Sequence, residues 1–102
     1  MTISNQISLI LETILQGNDL EENMVRNLMN AWLNDDISPI KSAAILAGLR
    51  CKRVNGIELA TMANILLDAC ALPIERPDLF LVDTCGTGGD GANTFNISTA
   101  VA

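Results

Sequence analysis

The chain has 102 residues, of which 49% are hydrophobic, so it is long enough for one small domain with a modest core. Twelve acidic and six basic residues give a net charge of −6 without an extended basic stretch, so nucleic-acid binding is not expected. Histidine is absent, which removes the commonest general base and metal ligand from any chemistry of this chain.

The three cysteines, Cys51, Cys70 and Cys85, are odd in number and widely spaced, so no pair suggests a zinc site or a redox dithiol. The sequence shows no pattern of a signal peptide and no apolar run of membrane length. The reducing cytoplasm is therefore the expected location. Cys85 is expected to be a small packing residue rather than a nucleophile, because no histidine is present to activate it.

The first predicted helix covers residues 3–16, where apolar residues recur at the spacing of one helical face. These residues are Ile3, Ile7, Ile10, Leu11, Ile14 and Leu15. Gly17-Asn18 then predicts a left-handed end to the helix. Asp19 is the expected N-cap of a second helix, with Glu21 and Glu22 placed favourably in its first turn.

The second predicted helix carries an apolar stripe that includes two methionines. Leu20, Met24, Leu28 and Trp32 recur every four residues, and Val25, Met29 and Leu33 accompany them. Such a stripe could line a cofactor, but packing into the core is the more frequent arrangement at this spacing. We therefore predict that this face is buried in the core.

A third helix is expected to begin at Ser38-Pro39, where a capping hydroxyl precedes a proline in the first helical turn. It should end near Arg50, Lys52 and Arg53, whose positive charges suit the C-terminal end of the helix dipole. These side chains could form a phosphate-binding patch, but a solvated helix end is the favoured interpretation. Small residues on this helix, which would let another helix approach closely, are Ala43, Ala44, Ala47 and Gly48.

A fourth helix is expected to begin at Asn55, with Glu58 as its partner in a capping box. It has apolar residues on several faces, among them Leu59, Met62 and Ile65, so more than one side must be covered. Pro73 should end the helical block. The prediction is a mainly α chain, with a helical domain at residues 1–72 and a connector at 73–78.

Residues 79–102 predict a strand, a glycine loop and the start of a helix, in that order. Leu79–Val82 is a short apolar run typical of a buried strand. Residues 86–91 contain four glycines, and residues 94–102 place hydroxyl and amide side chains ahead of small apolar ones, as at a helix start. Such a loop and helix N-terminus together bind phosphate through backbone N–H groups. A flexible hinge is the alternative, but a hinge or turn needs fewer glycines.

The phosphate could belong to several classes of ligand. Gly86, Gly88 and Gly91 match the dinucleotide-binding pattern G-x-G-x-x-G, but a helix would then begin at the third glycine, and here Asn93-Thr94 intervene. A P-loop is excluded because no lysine follows the glycines. Asp90 suits a hydroxyl or a metal-bound water better than a bare phosphate. This residue therefore points to a phosphorylated sugar.

The same stretch resembles the signature of the anthranilate phosphoribosyltransferase family of tryptophan biosynthesis. The resemblance rests on Asp83-x-x-Gly86-Thr87-Gly88-Gly89-Asp90-Gly91 followed by Thr94-Phe95-Asn96-Ile97-Ser98-Thr99. The helical residues before it also look like the N-terminal helical domain of that family. The resemblance covers the whole chain but only the first part of a family member. It implies that residues 79–102 begin an α/β phosphoribosyltransferase domain.

The resemblance implies an enzyme that moves the 5-phosphoribosyl group of phosphoribosyl pyrophosphate to the amine of anthranilate and releases pyrophosphate, with Mg2+ as cofactor. It implies that Gly86, Gly89 and Asp90 contact the phosphoribosyl pyrophosphate, with Gly86 also beside the aromatic amine. Thr94 and Asn96-Ile97-Ser98-Thr99 would bind the phosphates, and the Ser98 hydroxyl would ligate magnesium. Helix capping is the alternative role for Thr94, Ser98 and Thr99. No side chain of the chain is assigned as a catalytic nucleophile or base.

The resemblance also implies a homodimer that forms through the N-terminal helices. We expect the contact to involve the first and third helices. The expected contact residues are the small-residue patch Ala43-Ala44-Ala47-Gly48 together with Ile7, Leu11 and Ile14. Two alternatives to the transferase remain open, a pyrimidine nucleoside phosphorylase and a non-catalytic helical dimerisation module. For the 102 residues alone we expect no turnover, because a parallel sheet needs partner strands and crossover helices.

Overall fold

The computed structural model of the chain describes residues 2–70, 78–82, 86, 91–93, 95–97 and 100. Residues 2–70 form four α-helices, which are α1 (Ile3–Leu15), α2 (Glu22–Leu33), α3 (Pro39–Lys52) and α4 (Gly56–Ala69). The chain divides into two compact units, Met1–Ala71 and Leu72–Ala102. The four helices confirm the helical fold predicted for the first part of the sequence.

The two ends of α1 are fixed by local interactions. The Thr2 side chain caps the start by accepting a hydrogen bond from the Asn5 N–H at 3.3 Å. At the other end, Gly17 has a φ of +78° and its N–H donates to the Ile14 carbonyl at 2.9 Å. Glycine adopts this left-handed conformation at little cost, so the predicted stop signal at Gly17 is confirmed.

The start of α2 differs from the prediction. The N-cap is Glu21 rather than Asp19, and its side chain makes no capping hydrogen bond. The Asp19 carboxylate instead accepts a hydrogen bond at 2.9 Å from the ammonium of Lys52, which lies 33 residues later in the sequence. An ion pair formed across the fold has replaced the local cap.

The starts of α3 and α4 confirm the predicted caps. The Ser38 hydroxyl accepts from the Lys41 N–H at 3.3 Å, and Pro39 occupies the first turn of α3. At α4 the capping box is complete in both directions. The Asn55 side chain accepts from the Glu58 N–H at 2.8 Å, and the Glu58 carboxylate accepts from the Asn55 N–H at 2.9 Å.

The core of the helical unit lies where α2 packs against α1 and α4, and where α1 packs against α3. The predicted stripe of α2 is confirmed as core at Val25, Leu28 and Met29, whereas Leu33 is exposed. The buried apolar residues are Ile7, Ile10, Ile14, Leu20, Val25, Leu28, Met29, Ala31, Ile37, Ile45, Leu49 and Ile65. A further link joins α2 to α3, because the Trp32 indole N–H donates to the Ser42 hydroxyl at 2.9 Å.

Gly48, one of the small residues of α3, is required by the packing of α1 against α3. A Cβ atom added to Gly48 would lie 2.6 Å from Cγ2 of Ile14, so α1 approaches the backbone of α3 closely at this point. Ile7 and Ile14 are only 1% and 2% exposed. The expectation that Ile7, Ile14 and Gly48 form a surface for dimerisation is therefore wrong, since all three residues are buried inside the helical unit.

In the second unit, Ile97 and Ala100 have helical backbone, and the described residues contain no strand. Leu79–Val82 has irregular backbone and is exposed, with Phe80 at 95%. The predicted strand is thus not formed in these residues, consistent with the need of a strand for a hydrogen-bonded neighbour. Of the predicted connector 73–78, only Asp78 is among the described residues. In the part of the chain that the structure describes, no helix has the length and apolarity needed to cross a membrane.

Candidate functional site

The glycine-rich stretch contains two described positions with left-handed backbone. Gly91 has a φ of +73° and Asn93 a φ of +53°. Glycine and asparagine are the residue types that adopt positive φ at least cost, so the sequence suits this backbone. A Cβ added to Gly91 would meet nothing within 4 Å. The glycine there is accordingly explained by backbone conformation and not by crowding.

Asn96 connects the beginning of the glycine stretch to the helical turn that follows it. Its side-chain amide donates to the carbonyl of Gly86, ten residues earlier. Its own carbonyl accepts from the Ala100 N–H at 3.2 Å, the bond that closes the first turn of a helix. Ile97 and Ala100 have helical backbone. The predicted helix start is thereby confirmed, and Asn96 is the residue that brings loop and helix together.

Three of the eight residues predicted for the substrate site are described. Gly86 and Asn96 are brought together by the hydrogen bond above, while Ile97 is exposed in the first helical turn. The other five predicted site residues, Gly89, Asp90, Thr94, Ser98 and Thr99, lie outside the described residues. Their roles stay predictions.

The predicted anion site depends on backbone N–H groups at the helix start. The first turn of a helix presents backbone N–H groups without intrahelical partners and the positive end of the helix dipole. At Gly86 the nearest atom to an added Cβ would be the Asn96 side-chain oxygen at 3.8 Å, so the backbone there is open to close approach. Among the described residues, no cluster of three or more His, Cys, Asp or Glu side chains could hold a metal ion.

A cluster of buried polar contacts lies in the helical unit and was not predicted from the sequence. The Lys52 ammonium donates to the Glu58 carboxylate at 2.8 Å, to the Asp19 carboxylate at 2.9 Å and to the Arg53 carbonyl at 3.2 Å. The Lys52 side chain is only 2% exposed, so its assignment to a solvated helix end is wrong. Glu58 also accepts from the Leu20 N–H at 2.8 Å. We call these four residues, Asp19, Leu20, Lys52 and Glu58, the ion cluster.

Hydrogen bonds and opposite charges in the ion cluster shift the pKa values of Lys52 and Glu58 toward the charged forms, and together they exceed the opposite effect of burial. Burial alone would lower the pKa of Lys52, but the hydrogen bonds and charges of Glu58 and Asp19 raise it overall. Burial alone would raise the pKa of Glu58, but hydrogen bonds from Asn55, Lys52 and Leu20 lower it overall. The pKa of Asp19 is lowered chiefly by its hydrogen bond from Lys52. The cluster therefore stays ionised across the neutral range and fastens the α1–α2 loop to the junction of α3 and α4.

These shifts predict how the stability of the helical unit depends on pH. The contribution of Glu58 and Asp19 to the free energy of unfolding is complete above their unfolded pKa values of about 4, and is lost as the pH falls through the lowered folded values. The contribution of Lys52 to the free energy of unfolding is complete below its unfolded pKa of about 10.4. It is lost as the pH rises through the raised pKa of Lys52 in the folded state. Urea unfolding across the pH range should show a plateau between these limits. Stability that increases on acidification below pH 4 would contradict the assignment.

An open groove between α1 and α3 is the second candidate surface. Its volume is about 490 Å3, and it is lined by Ile14, Leu15, Gly17, Ala44, Ala47, Gly48, Cys51 and Lys52. The exposed part of the lining includes Leu15, Ala47 and Cys51. This groove retains two of the predicted dimer-contact residues, Ala44 and Ala47, on an accessible apolar surface.

Comparison with known proteins adds family information to this geometry. The helical bundle domain of a glycosyl transferase family matches residues 8–70, and the a/b domain of that family matches residues 79–102. A protein named anthranilate phosphoribosyltransferase from Prochlorococcus marinus subsp. pastoris (strain CCMP1986 / NIES-2087 / MED4) is 57% identical over 102 residues, which cover 100% of this chain and 30% of the relative. No solved structure matches the chain.

Other proteins named anthranilate phosphoribosyltransferase show similar identity and cover a similar part of this chain. The protein from Prochlorococcus marinus (strain MIT 9301) is 60% identical over 93 residues, 91% of this chain and 27% of the relative. That from Synechococcus sp. (strain CC9902) is 59% identical over 92 residues, 90% of this chain and 26% of the relative. The chain thus spans at most 30% of the length of these curated relatives.

Proposed function

The chain belongs to the glycosyl transferase family whose helical bundle and a/b domains it matches, and from this premise we propose that it is part of an anthranilate phosphoribosyltransferase. The proposed reaction transfers the 5-phosphoribosyl group of phosphoribosyl pyrophosphate to the amine of anthranilate and releases pyrophosphate. The observation that supports it most directly is the hydrogen bond between Asn96 and Gly86, which closes the glycine stretch onto a helix start. Relatives named for this activity, 57% identical over the whole chain, support the same proposal.

The proposed reaction requires no covalent intermediate with a side chain of this chain. Pyrophosphate must leave with several negative charges while positive charge develops on the sugar carbon, so stabilisation by fixed donors is the main requirement. Backbone N–H groups at Gly86 and at the turn after Asn96 would orient the phosphates. Asp90 would contact a sugar hydroxyl or a metal-bound water, and Thr94 and Thr99 would supply hydroxyl donors.

The proposed cofactor is Mg2+, which supplies charge neutralisation on the diphosphate. Magnesium prefers oxygen ligands and keeps several waters and substrate oxygens in its shell. The donor types of the chain fit that preference, because residues 94–99 contain three hydroxyl side chains next to the helix start. The Ser98 hydroxyl would be the ligand from this chain, with the diphosphate as the major ligand.

The test of the proposed function is an assay of a full-length enzyme that carries this segment. We expect anthranilate fluorescence to disappear when phosphoribosyl pyrophosphate and magnesium are supplied. A pyrimidine nucleoside with phosphate, offered under the same conditions, should give no phosphorolysis. Phosphorolysis without loss of anthranilate would contradict the proposal and identify a nucleoside phosphorylase. The 102 residues alone should give no turnover in either assay.

Ser98 and Asp90 should respond differently to substitution in that enzyme. Ser98→Ala removes one oxygen from a magnesium shell that water can refill, so we expect a cost of about 1–2 kcal/mol in kcat/KM that excess magnesium partly restores. Asp90→Ala removes the charge that meets the substrate, and added magnesium should not restore activity. Kinetics across a magnesium titration check both. A near-normal Asp90→Asn enzyme would show that Asp90 only shapes the turn, since asparagine makes the same local hydrogen bonds.

We also propose that the family-length enzyme is a homodimer in which the α1–α3 groove contacts a second copy. Ala47 is exposed in this groove, and a charge placed there would be desolvated on association. Sedimentation should show a dimer at micromolar concentration, and Ala47→Glu should weaken the association at least about tenfold. Asn23→Glu, on the exposed start of α2, is the matched control and should leave it unchanged. A monomer at high micromolar concentration would contradict the proposal.

A further inference from the structure

Arg53, the residue that follows α3, has a strained backbone. Its φ of 69° and ψ of 129° lie outside the right-handed, extended and left-handed regions that a residue with a Cβ atom ordinarily adopts. Among the described residues, the other non-glycine residues with positive φ are Asp35 and Asn93, whose short polar side chains tolerate such backbone. Arginine has no such tolerance. A conformation of this kind persists only where surrounding contacts enforce it.

The contacts that enforce this conformation come from the ion cluster. The Lys52 ammonium donates to the Arg53 carbonyl at 3.2 Å and to the Glu58 carboxylate at 2.8 Å. Lys52 is the last residue of α3 and Glu58 lies in the first turn of α4, so their ion pair bridges the turn formed by residues 53–55. The chain must bring the start of α4 back to the end of α3 within this turn, and the positive φ of Arg53 is part of that path.

All of these contacts are made between residues of the helical unit, and the charged groups are buried in it. The side chains of Lys52 and Glu58 are 2% and 0% exposed. The Asn55 N–H donates to the Glu58 carboxylate at 2.9 Å, so the far end of the turn is held by the same buried group. The turn is thus fixed at both of its ends, while the strained backbone of Arg53 between them favours release.

The packing of the helices makes this turn the point at which α4 can separate from α3. α3 packs against α1 and α4 packs against α2, so the ion cluster and the turn are what join the end of α3 to the start of α4. When the contacts of Lys52 break, Arg53 can relax to an ordinary backbone conformation. The released strain lowers the free energy of this local opening below what the contacts alone would set.

We propose that residues 53–55 form a strained latch, which the ion cluster holds closed and which opens locally while α1, α2 and α3 remain folded. Opening separates the start of α4 from the end of α3 and from the α1–α2 loop, to which Glu58 is bound through the Leu20 N–H. α4 is the last helix of the helical unit before the second unit begins in the sequence. The strained latch therefore sets how readily this helix moves, whatever reaction the complete protein catalyses.

Limited digestion of the family-length protein with trypsin measures the opening. Trypsin cleaves after lysine and arginine in an extended, accessible segment, so the buried Lys52 side chain can enter the protease only when the strained latch is open. The mass of the N-terminal fragment that ends at Lys52 identifies this cleavage. We expect cleavage after Lys52 to precede cleavage after Arg26, which lies inside α2. Cleavage at both positions with the same rate would contradict a local opening.

Arg53→Gly and Arg53→Ala separate the backbone strain from the arginine side chain. Both variants lack the guanidinium, and they differ only in the Cβ atom that the backbone of this position disfavours. Glycine relieves the strain of the closed latch, so cleavage after Lys52 should be about tenfold slower in Arg53→Gly than in Arg53→Ala. A rate in Arg53→Gly that equals or exceeds the rate in Arg53→Ala would overturn the proposal.

Gly48→Ala distinguishes local opening from unfolding of the whole helical unit. The added Cβ would lie 2.6 Å from Cγ2 of Ile14, a contact between α1 and α3, which stay together when the strained latch opens. In the Arg53→Ala background, Gly48→Ala should lower the Tm but leave the rate of cleavage after Lys52 within about twofold. Cleavage that Gly48→Ala accelerates at least about tenfold would show that the turn opens only with the entire unit, and would overturn the proposal.

Discussion

Replacing Glu58 by alanine should destabilise the helical unit by about 3–5 kcal/mol, the usual cost of removing one partner of a buried ion pair. The Leu20 N–H and the Asn55 N–H lose their acceptor, and the Lys52 ammonium keeps only the Asp19 carboxylate and the Arg53 carbonyl. The side chains of Glu58 and Lys52 are both buried, so water cannot readily replace the carboxylate. Urea unfolding followed by circular dichroism measures the loss.

The chain offers a matched control for that substitution. Glu22 forms an i,i+4 ion pair with Arg26 at 2.7 Å, but both side chains are about half exposed. Glu22→Ala should therefore cost only about 0.3–0.5 kcal/mol. If Glu58→Ala costs no more than Glu22→Ala, the ion cluster does not contribute to stability. The double variant Lys52→Met/Glu58→Gln should recover part of the loss, because it removes both buried charges together.

The second large effect is expected at Gly48. Alanine there would place Cβ 2.6 Å from Cγ2 of Ile14, a distance that a real contact does not reach. Ile14 is buried and cannot move freely away, so Gly48→Ala should destabilise the unit by about 1–3 kcal/mol, as overpacked cores do. Thermal unfolding measures the change. Gly56→Ala is the control, since an added Cβ at Gly56 meets nothing within 4 Å and alanine there should be neutral or slightly stabilising.

A double-mutant cycle identifies the cause of the Gly48 effect. Ile14→Ala removes the Cγ2 atom that the new Cβ would meet, so Gly48→Ala should cost less in the Ile14→Ala background than in the wild type. Equal costs in the two backgrounds would show that the contact between α1 and α3 is not responsible.

The helix ends were predictable because their signals are local. Gly17, Ser38-Pro39 and the Asn55–Glu58 capping box lie within a few residues of the bonds they make. Asp19 carries an equally good local signal, yet it pairs with Lys52, 33 residues away. A sequence pattern does not show such a partner, because it depends on how the helices pack.

The faces of the helices were predictable, but what each face contacts was not. The spacing of Ile7 and Ile14 correctly places them on one side of α1, and the structure shows that this side faces the core of the same unit. In the candidate site, the motif indicated both Gly86 and Asn96. The hydrogen bond that joins them depends on the backbone path between them, which the glycine spacing alone does not define.

The contact between the Leu20 N–H and Glu58 has a consequence for hydrogen exchange. Leu20 lies between α1 and α2, outside any helix, where an amide proton ordinarily exchanges quickly with solvent. Here that proton points to a buried carboxylate 38 residues away, and it exchanges only when the loop separates from the start of α4. The amide proton of Leu20 should therefore exchange slowly for a residue outside a helix, and its rate should report on the opening of the contact between the α1–α2 loop and the start of α4.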